Sequence, residues 1–377
     1  MMFKELVTRR KFLEELSHVG IGVFAVSATA SLFNHSFAAG ADSSEWFLAP
    51  YTPDQENIAE AKISDLALTN LSSGESGKIP LSFRGHGTIK HPKKAWTVLV
   101  FPQRGGMAAE VDIKSRKVSK QIAAETGQQF YGHGIFSDDG STLFSTEINL
   151  KNGSGILAIR DSMTYKVIGK YETGGFIPHD VKLINNGKTL IVANAAPKAT
   201  DKTSLAYIDI HSGKILENPG TDFPKASFAH LALATGGEIF ISTTPIDNKM
   251  AGRVFIRTPG KAIEVLPLPD LVLAKVEGQA LSLAIDNQRG IVGVTIPQTG
   301  RVLFWNFHER KFLKQIEMPR PCGMVLNQAG THYIVSIPSG VLQIIDAKTL
   351  VTVSHPTAIN HKLMGGNISH ASLINFG

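Results

Sequence analysis

From about residue 80 onward, short apolar runs alternate with polar turns that carry glycine. The clearest copy starts with His179-Asp180-Val181-Lys182-Leu183-Ile184. It continues through the turn Asn185-Asn186-Gly187-Lys188 to a β-rich run at 189–194 (TLIVAN), and then through a second run at 204–210 (SLAYIDI) to Ser212-Gly213. Glycine turns between alternating, β-branched runs predict hairpins. Helical periodicity is weak beyond the N-terminal leader, and the one arguable stretch runs from Pro53 to Asn70. Units of four strands and about 40–50 residues predict a β-propeller. They fall near 85–122, 130–172, 175–218, 226–268, 278–318 and 320–353, leaving remainders at 46–83 and 359–376. A ring left open exposes unpaired strand edges, so the two remainders are expected to combine as one more blade. The predicted fold is therefore all-β: a seven-bladed β-propeller over residues 45–377, closed by strands from both termini. A six-bladed ring and an open β-solenoid are the alternatives.

Histidines mark the same place in successive units. His86, His133, His179 and His230 are separated by 47, 46 and 51 positions, and each stands just before an apolar run. The turn glycines supply a ruler: His133 lies seven residues before Gly140, His179 eight before Gly187 and His230 seven before Gly237. Carried forward, the ruler selects Ser282 before Gly290 and Cys322 before Gly330, and His361 is the expected equivalent in the last segment. In a ring of blades these positions face one axis. Loops opening on the same face are expected to bring Arg104, Glu147 and Asn194 to the channel mouth, a convergent polar set suited to binding a ligand or cofactor.

Neutral imidazoles suit iron, copper, zinc and nickel, and a thiolate favours softer ions. The expected metal ligands are thus His86, His133, His179, His230, His361 and Cys322, with iron, copper or zinc as the ion. The alternative for each Gly-His pair is a structural hydrogen bond between blade loops, which would make the protein a non-catalytic interaction scaffold. A propeller enzyme of unspecified substrate is a third reading. The chain lacks a GxSxG motif, an HExxH helix and a phosphate-cradling glycine loop, and no catalytic residue is assigned.

The N-terminus predicts export. Thr8-Arg9-Arg10-Lys11-Phe12-Leu13 reads as a twin-arginine motif, and 16–41 contains no Asp, Glu, Lys or Arg. Small residues at Ser36 and Ala38 suit a signal-peptidase site, so residues 1–38 are expected to be a signal peptide and the mature chain periplasmic. The formal net charge of +6 is spread along the chain without a basic stripe interleaved with aromatics, which argues against nucleic acid as a partner. With one cysteine, Cys322, no intrachain disulfide can form, and stability must come from burial.

Several stretches together resemble a domain-of-unknown-function family of twin-arginine-exported bacterial propellers. They are Arg84-Gly85-His86, Tyr131-Gly132-His133-Gly134, the run 147–161 (EINLKNGSGILAIRD), Pro178-His179-Asp180-Val181 with VANAA, SLAYID, His230-Leu231-Ala232, GRVLFW and Pro321-Cys322-Gly323. More distantly, the units look like YVTN and quinoprotein amine dehydrogenase-like propellers. The family resemblance implies a seven-bladed fold. It also implies, by association, imelysin-type iron-uptake proteins and a di-haem oxidoreductase as periplasmic partners, and a role in iron acquisition or metal redox handling.

Overall fold

The computed structural model describes residues 45–53, 63–198, 201–221, 223, 226–247, 249–353, 366–368 and 370–376. The predicted signal peptide and His361 lie outside these residues.

Seven antiparallel sheets form the ring. Blade 1 contains Glu45–Pro53, Asp65–Asn70 and Ser76–Pro80, with Gly366–Ile368 and Ser372–Asn375 in its innermost position. Blade 2 runs from Gly85–Lys90 through Thr97–Pro102 and Met107–Asp112 to Lys117–Ala123. Blade 3 runs from Gln128–Phe136 through Thr142–Asn149 and Ser154–Asp161 to Val167–Phe176. Blade 4 holds Pro178–Ile184, Thr189–Asn194, Ser204–Asp209 and Ile215–Glu217. Blade 5 holds Ala226–Leu233, Ile239–Pro245, Val254–Arg257 and Ile263–Val265. Blade 6 starts at Leu283–Asp286 and ends at Lys311–Glu317, and blade 7 starts at Met324–Leu326 and ends at Val351–Val353.

Position within a blade follows from pattern. The second strands Thr97–Pro102, Thr189–Asn194 and Ile291–Ile296 are buried along their whole length, because a neighbouring blade covers each face. The outer strand Val167–Phe176 alternates exposed and half-buried residues, as an edge facing solvent requires. Apolar clusters fill the spaces between blades. Trp46, Leu48, Val98 and Val100 join blades 1 and 2, and Ile191, Leu205, Phe228 and Ile241 join blades 4 and 5. Each fully buried Leu, Ile, Val or Phe contributes about 1.5–3 kcal/mol relative to exposure.

Closure uses both ends of the chain. Trp46 pairs with Ile374 and Tyr51 with Ile368, so the N-terminal strand is hydrogen-bonded to both C-terminal segments. Phe47, Ala49, Ile334 and Ile344 pack between blades 7 and 1 and complete the ring. Residues 54–62 of the arguable helical stretch lie outside the described residues, and its end takes a different form: Asp65–Asn70 is a strand with five of its six residues buried. Alternation within a sheet overrides the weak helical period there. The helix among the described residues is one turn, Asp270–Leu273, between blades 5 and 6.

Candidate metal centre

Inner strands lose register at one point, and there the histidines sit. In blade 2, Gly85 pairs with Pro102 and Thr88 with Val100, so His86 and Gly87 together face Phe101. In blade 3 the residues 131–133 face Thr146, in blade 4 His179 has no counterpart, and in blade 5 Ala229 and His230 face Ser242. Blade 1 repeats the device across its two C-terminal segments, with His370 falling between the part paired to Tyr51 and the part paired to Leu48. A β-bulge turns a side chain away from the pleat, here toward the ring axis.

Bulging leaves backbone donors to be satisfied, and hydroxyls of the second strand do this. The His133 N–H donates to Thr146 Oγ1 at 3.1 Å and the His230 N–H to Ser242 Oγ at 3.2 Å. Two glycines allow the bulges to nest. A side chain at Gly87 would lie 2.6 Å from both the Gly132 carbonyl and His133 Nδ1, and one at Gly132 would lie 2.9 Å from the His179 carbonyl. Gly132 also has φ +114°, a conformation open to glycine.

Five imidazoles converge as a result. One ring nitrogen from each of His86, His133, His179, His230 and His370 lies within 4.8 Å of every other. Three of them form a tight triangle through Nε2: His86 to His179 at 3.1 Å, His179 to His230 at 2.8 Å and His230 to His86 at 3.4 Å. A neutral imidazole has one N–H, and in a triangle that hydrogen cannot point squarely at two neighbours. Each Nε2 carries either a hydrogen or a lone pair, so at least two of the three present the same kind of group to each other. Ligands about 2.0–2.1 Å from a shared ion stand roughly 3.0–3.4 Å apart, a range close to these spacings. His133 Nε2 and His370 Nε2 are buried with no hydrogen-bond partner. Each such orphan costs about 1–3 kcal/mol, and a bound cation would remove that cost.

Protonation states suit the same use. Burial holds the His179 imidazolium down to a pKa of about 3, aided by the charges of neighbouring imidazoles. Burial likewise lowers His133 to about 4, with Asp180 opposing it, and pushes His86, His230 and His370 well below the usual value. The rings are neutral at pH 7 with lone pairs available. Asp180 Oδ1 stands 3.8 Å from His133 Nδ1, and its carboxylate accepts from the Leu231 N–H at 2.9 Å and from Lys182 Nζ at 2.8 Å. Ser242 Oγ lies 3.4 Å from His230 Nδ1. Partners of this kind fix ring orientation in imidazole metal sites. The five rings are spaced so that they could hold a metal ion.

A family described as "Protein of unknown function (DUF1513)" matches residues 79–362. The chain belongs to that family. Its match covers the histidines of blades 2 to 5 and stops short of His370. No curated protein matches the chain. Among solved structures it is similar to Kuenenia stuttgartiensis hydrazine synthase, at 16% identity over 77% of this chain and 92% of that one, with a TM-score of 0.63. That likeness is one of fold.

In this DUF1513 chain the structure gathers four of the six expected ligands and places Cys322 outside the cluster, while His361 lies outside the described residues. Ser282 holds the ring position of blade 6, its N–H donating to Thr295 Oγ1 at 3.1 Å. In blade 7 the same bond, from backbone N–H to the second-strand hydroxyl, comes from Gly323 to Ser336 Oγ at 2.9 Å. Gly323, not Cys322, therefore occupies the ring position. Cys322 is buried with Phe47, Ala49 and Ile334 and is not part of the imidazole cluster. His370, missed from sequence, supplies the fifth ring. Its signal was present, since it precedes the apolar run Leu373-Ile374 and Gly377 follows it by seven residues, the spacing of His133 and His230 from their turn glycines.

Two expected mouth residues are instead interior. Glu147 lies within the strand Thr142–Asn149, fully buried, with Oε1 2.7 Å from Arg160 Nη2 and 2.9 Å from Ser145 Oγ. Asn194 ends Thr189–Asn194, also fully buried, its amide donating to the Thr173 carbonyl at 3.0 Å and to Ser204 Oγ at 3.2 Å. Both residues are paired within their strands, Glu147 with Ile156 and Asn194 with Ser204, and both side chains lie in the blade interior. Arg104 does lie at the mouth, 5.0 Å above the Tyr131 ring. It lines a cavity of about 540 Å³ whose walls include His86, His179 and His230, the three members of the Nε2 triangle.

Proposed function

We propose that this propeller binds a first-row transition metal ion, or a ligand carrying one, at the mouth of its channel. The observation that carries the reading is the convergence of five neutral imidazoles from five blades within 4.8 Å, two of them with orphaned ring nitrogens. Five nitrogen donors exceed the four of a structural zinc site and suit an ion of higher coordination number, which favours iron, nickel or copper over zinc. The absence of a carboxylate or thiolate from the cluster speaks against magnesium, calcium or copper(I).

The motif at 8–13 supports export by the twin-arginine route and action in the periplasm, and the family resemblance supports iron or copper handling beside imelysin-type and di-haem proteins. No helix among the described residues is long and apolar enough to cross a membrane. Metal analysis of protein purified without a histidine tag tests the reading. About one equivalent of a transition ion, lost on substitution of His179, supports it, and less than about 0.2 equivalents after incubation with iron, copper and zinc overturns it.

A further inference from the structure

The cavity above the histidines has an unbalanced charge. Its walls include Arg84, Arg104 and Arg320, and no Asp or Glu among the described residues. Elsewhere among the described residues Arg116, Arg160, Arg257, Arg289, Arg301 and Arg310 form ion pairs with carboxylates and Arg253 does not, whereas none of the three mouth arginines does. The three are placed by three separate pieces of chain. Arg84 precedes the bulge that carries His86, Arg104 follows the second strand of blade 2, and Arg320 lies in the segment leading into blade 7. Arg84 is partly buried and Arg320 is exposed. Gathering like charges over a low-dielectric floor costs free energy in the empty protein, and an anion would remove that cost.

We infer that the mouth takes an oxyanion, a small ligand bearing carboxylate or phosphate oxygens, together with the ion below it. The inference rests on the metal reading for its floor and on the arginines for its walls. Guanidinium forks recognise planar or tetrahedral oxyanions through paired N–H donors, and flexible ammonium groups do so less selectively. The cavity volume of about 540 Å³ falls in the range of small-molecule sites and leaves room for an anion with more than one charged group. Three imidazoles of the floor face this space. An oxyanion seated between the floor and the arginines can offer one oxygen to the ion and the others to the guanidiniums. On this account the protein receives its metal as an anionic chelate or in company with an anion.

Calorimetric titration of the metal-loaded protein at constant ionic strength tests this, with tricarballylate, inorganic phosphate and glucose as probes. Saturable binding of tricarballylate or phosphate, absent with glucose and weakened at least about tenfold in an R84Q/R104Q double variant, is expected. Preference for tricarballylate identifies carboxylate as the ligand chemistry, and preference for phosphate identifies a phosphate group. If neither anion binds, or if the double variant binds as tightly as the parent, the inference is overturned. Arg320→Gln, at an exposed position, gives the same readout should the double variant fail to fold. Metal content is measured separately. Failure of the histidine site then shows as protein without an ion, and failure of the anion site as loaded protein indifferent to anions.

Discussion

His179 Nε2 lies 2.8 Å from His230 Nε2, although the two residues belong to different blades and 51 positions separate them. One proton can bridge this pair of neutral rings as an N–H···N hydrogen bond, but it cannot also satisfy the triangle that both close with His86, which a shared cation would. Replacing one ring should therefore affect ion binding far more than folding. His179→Ala is expected to weaken binding of the preferred ion more than about 100-fold, beyond the effect usual for loss of an outer-shell partner. Competition with a chelator of known affinity measures it.

His370 separates a functional histidine from a structural one. Its ring packs 3.7 Å from that of His230 and its Nε2 has no partner. His370→Leu removes a buried orphan, so the metal-free protein should match the parent or gain about 1 kcal/mol. The rise in melting temperature on adding metal should shrink at the same time. Paired thermal unfolding curves, with and without ion, check both. A large loss of stability in the metal-free variant would assign His370 a structural role instead.

Glu147 and Cys322 should act on stability and not on the ion. Breaking the buried Glu147–Arg160 pair by Glu147→Ala leaves a guanidinium without its carboxylate and should cost about 3–5 kcal/mol. Cys322→Ala removes a small side chain from the cluster between blades 7 and 1 and should cost no more than about 1–2 kcal/mol. In both variants the folded protein should hold as much metal as the parent, which denaturant unfolding and elemental analysis together establish.

Acid sensitivity should trace partly to Glu110. Burial raises its pKa, but hydrogen bonds from Lys94, Tyr165 and Ser119 outweigh that and hold the carboxyl below its usual value. A carboxyl depressed on folding stabilises the native state fully above the unfolded value of about 4.3, and that contribution is lost as pH falls through the folded value. Glu110→Gln should lower stability at pH 7 and flatten its decline below about pH 4. Urea midpoints measured between neutral and acid pH read the slope.

The fold was legible because each blade is local: turn glycines and apolar runs repeat within about 40–50 residues, and closure follows from unpaired edges. Four of the five clustered histidines were legible for the same reason. The misses have geometric causes. The distance from ring position to turn glycine is seven residues in blades 3, 5 and 7 but eight in blades 4 and 6, so a ruler set at eight selected Cys322 where Gly323 belongs. The strand after His370 pairs with the far end of the chain, Glu45–Leu48, so the pairing that marks its ring position is not local in sequence. Glu147 and Asn194 look like loop residues by type, yet one second strand continues through Glu147 and the other keeps Asn194 as its last paired residue. The three arginines of the mouth come from separate segments, and no linear pattern joins them.

X-ray absorption spectroscopy of the metal-loaded protein tests the central claim most directly. The account predicts a first shell of four or five nitrogens at about 2.0–2.2 Å, with the outer-shell scattering of imidazole rings and no sulfur. An ion coordinated by oxygen or sulfur without imidazole scattering, or an ion that does not survive desalting, would contradict it.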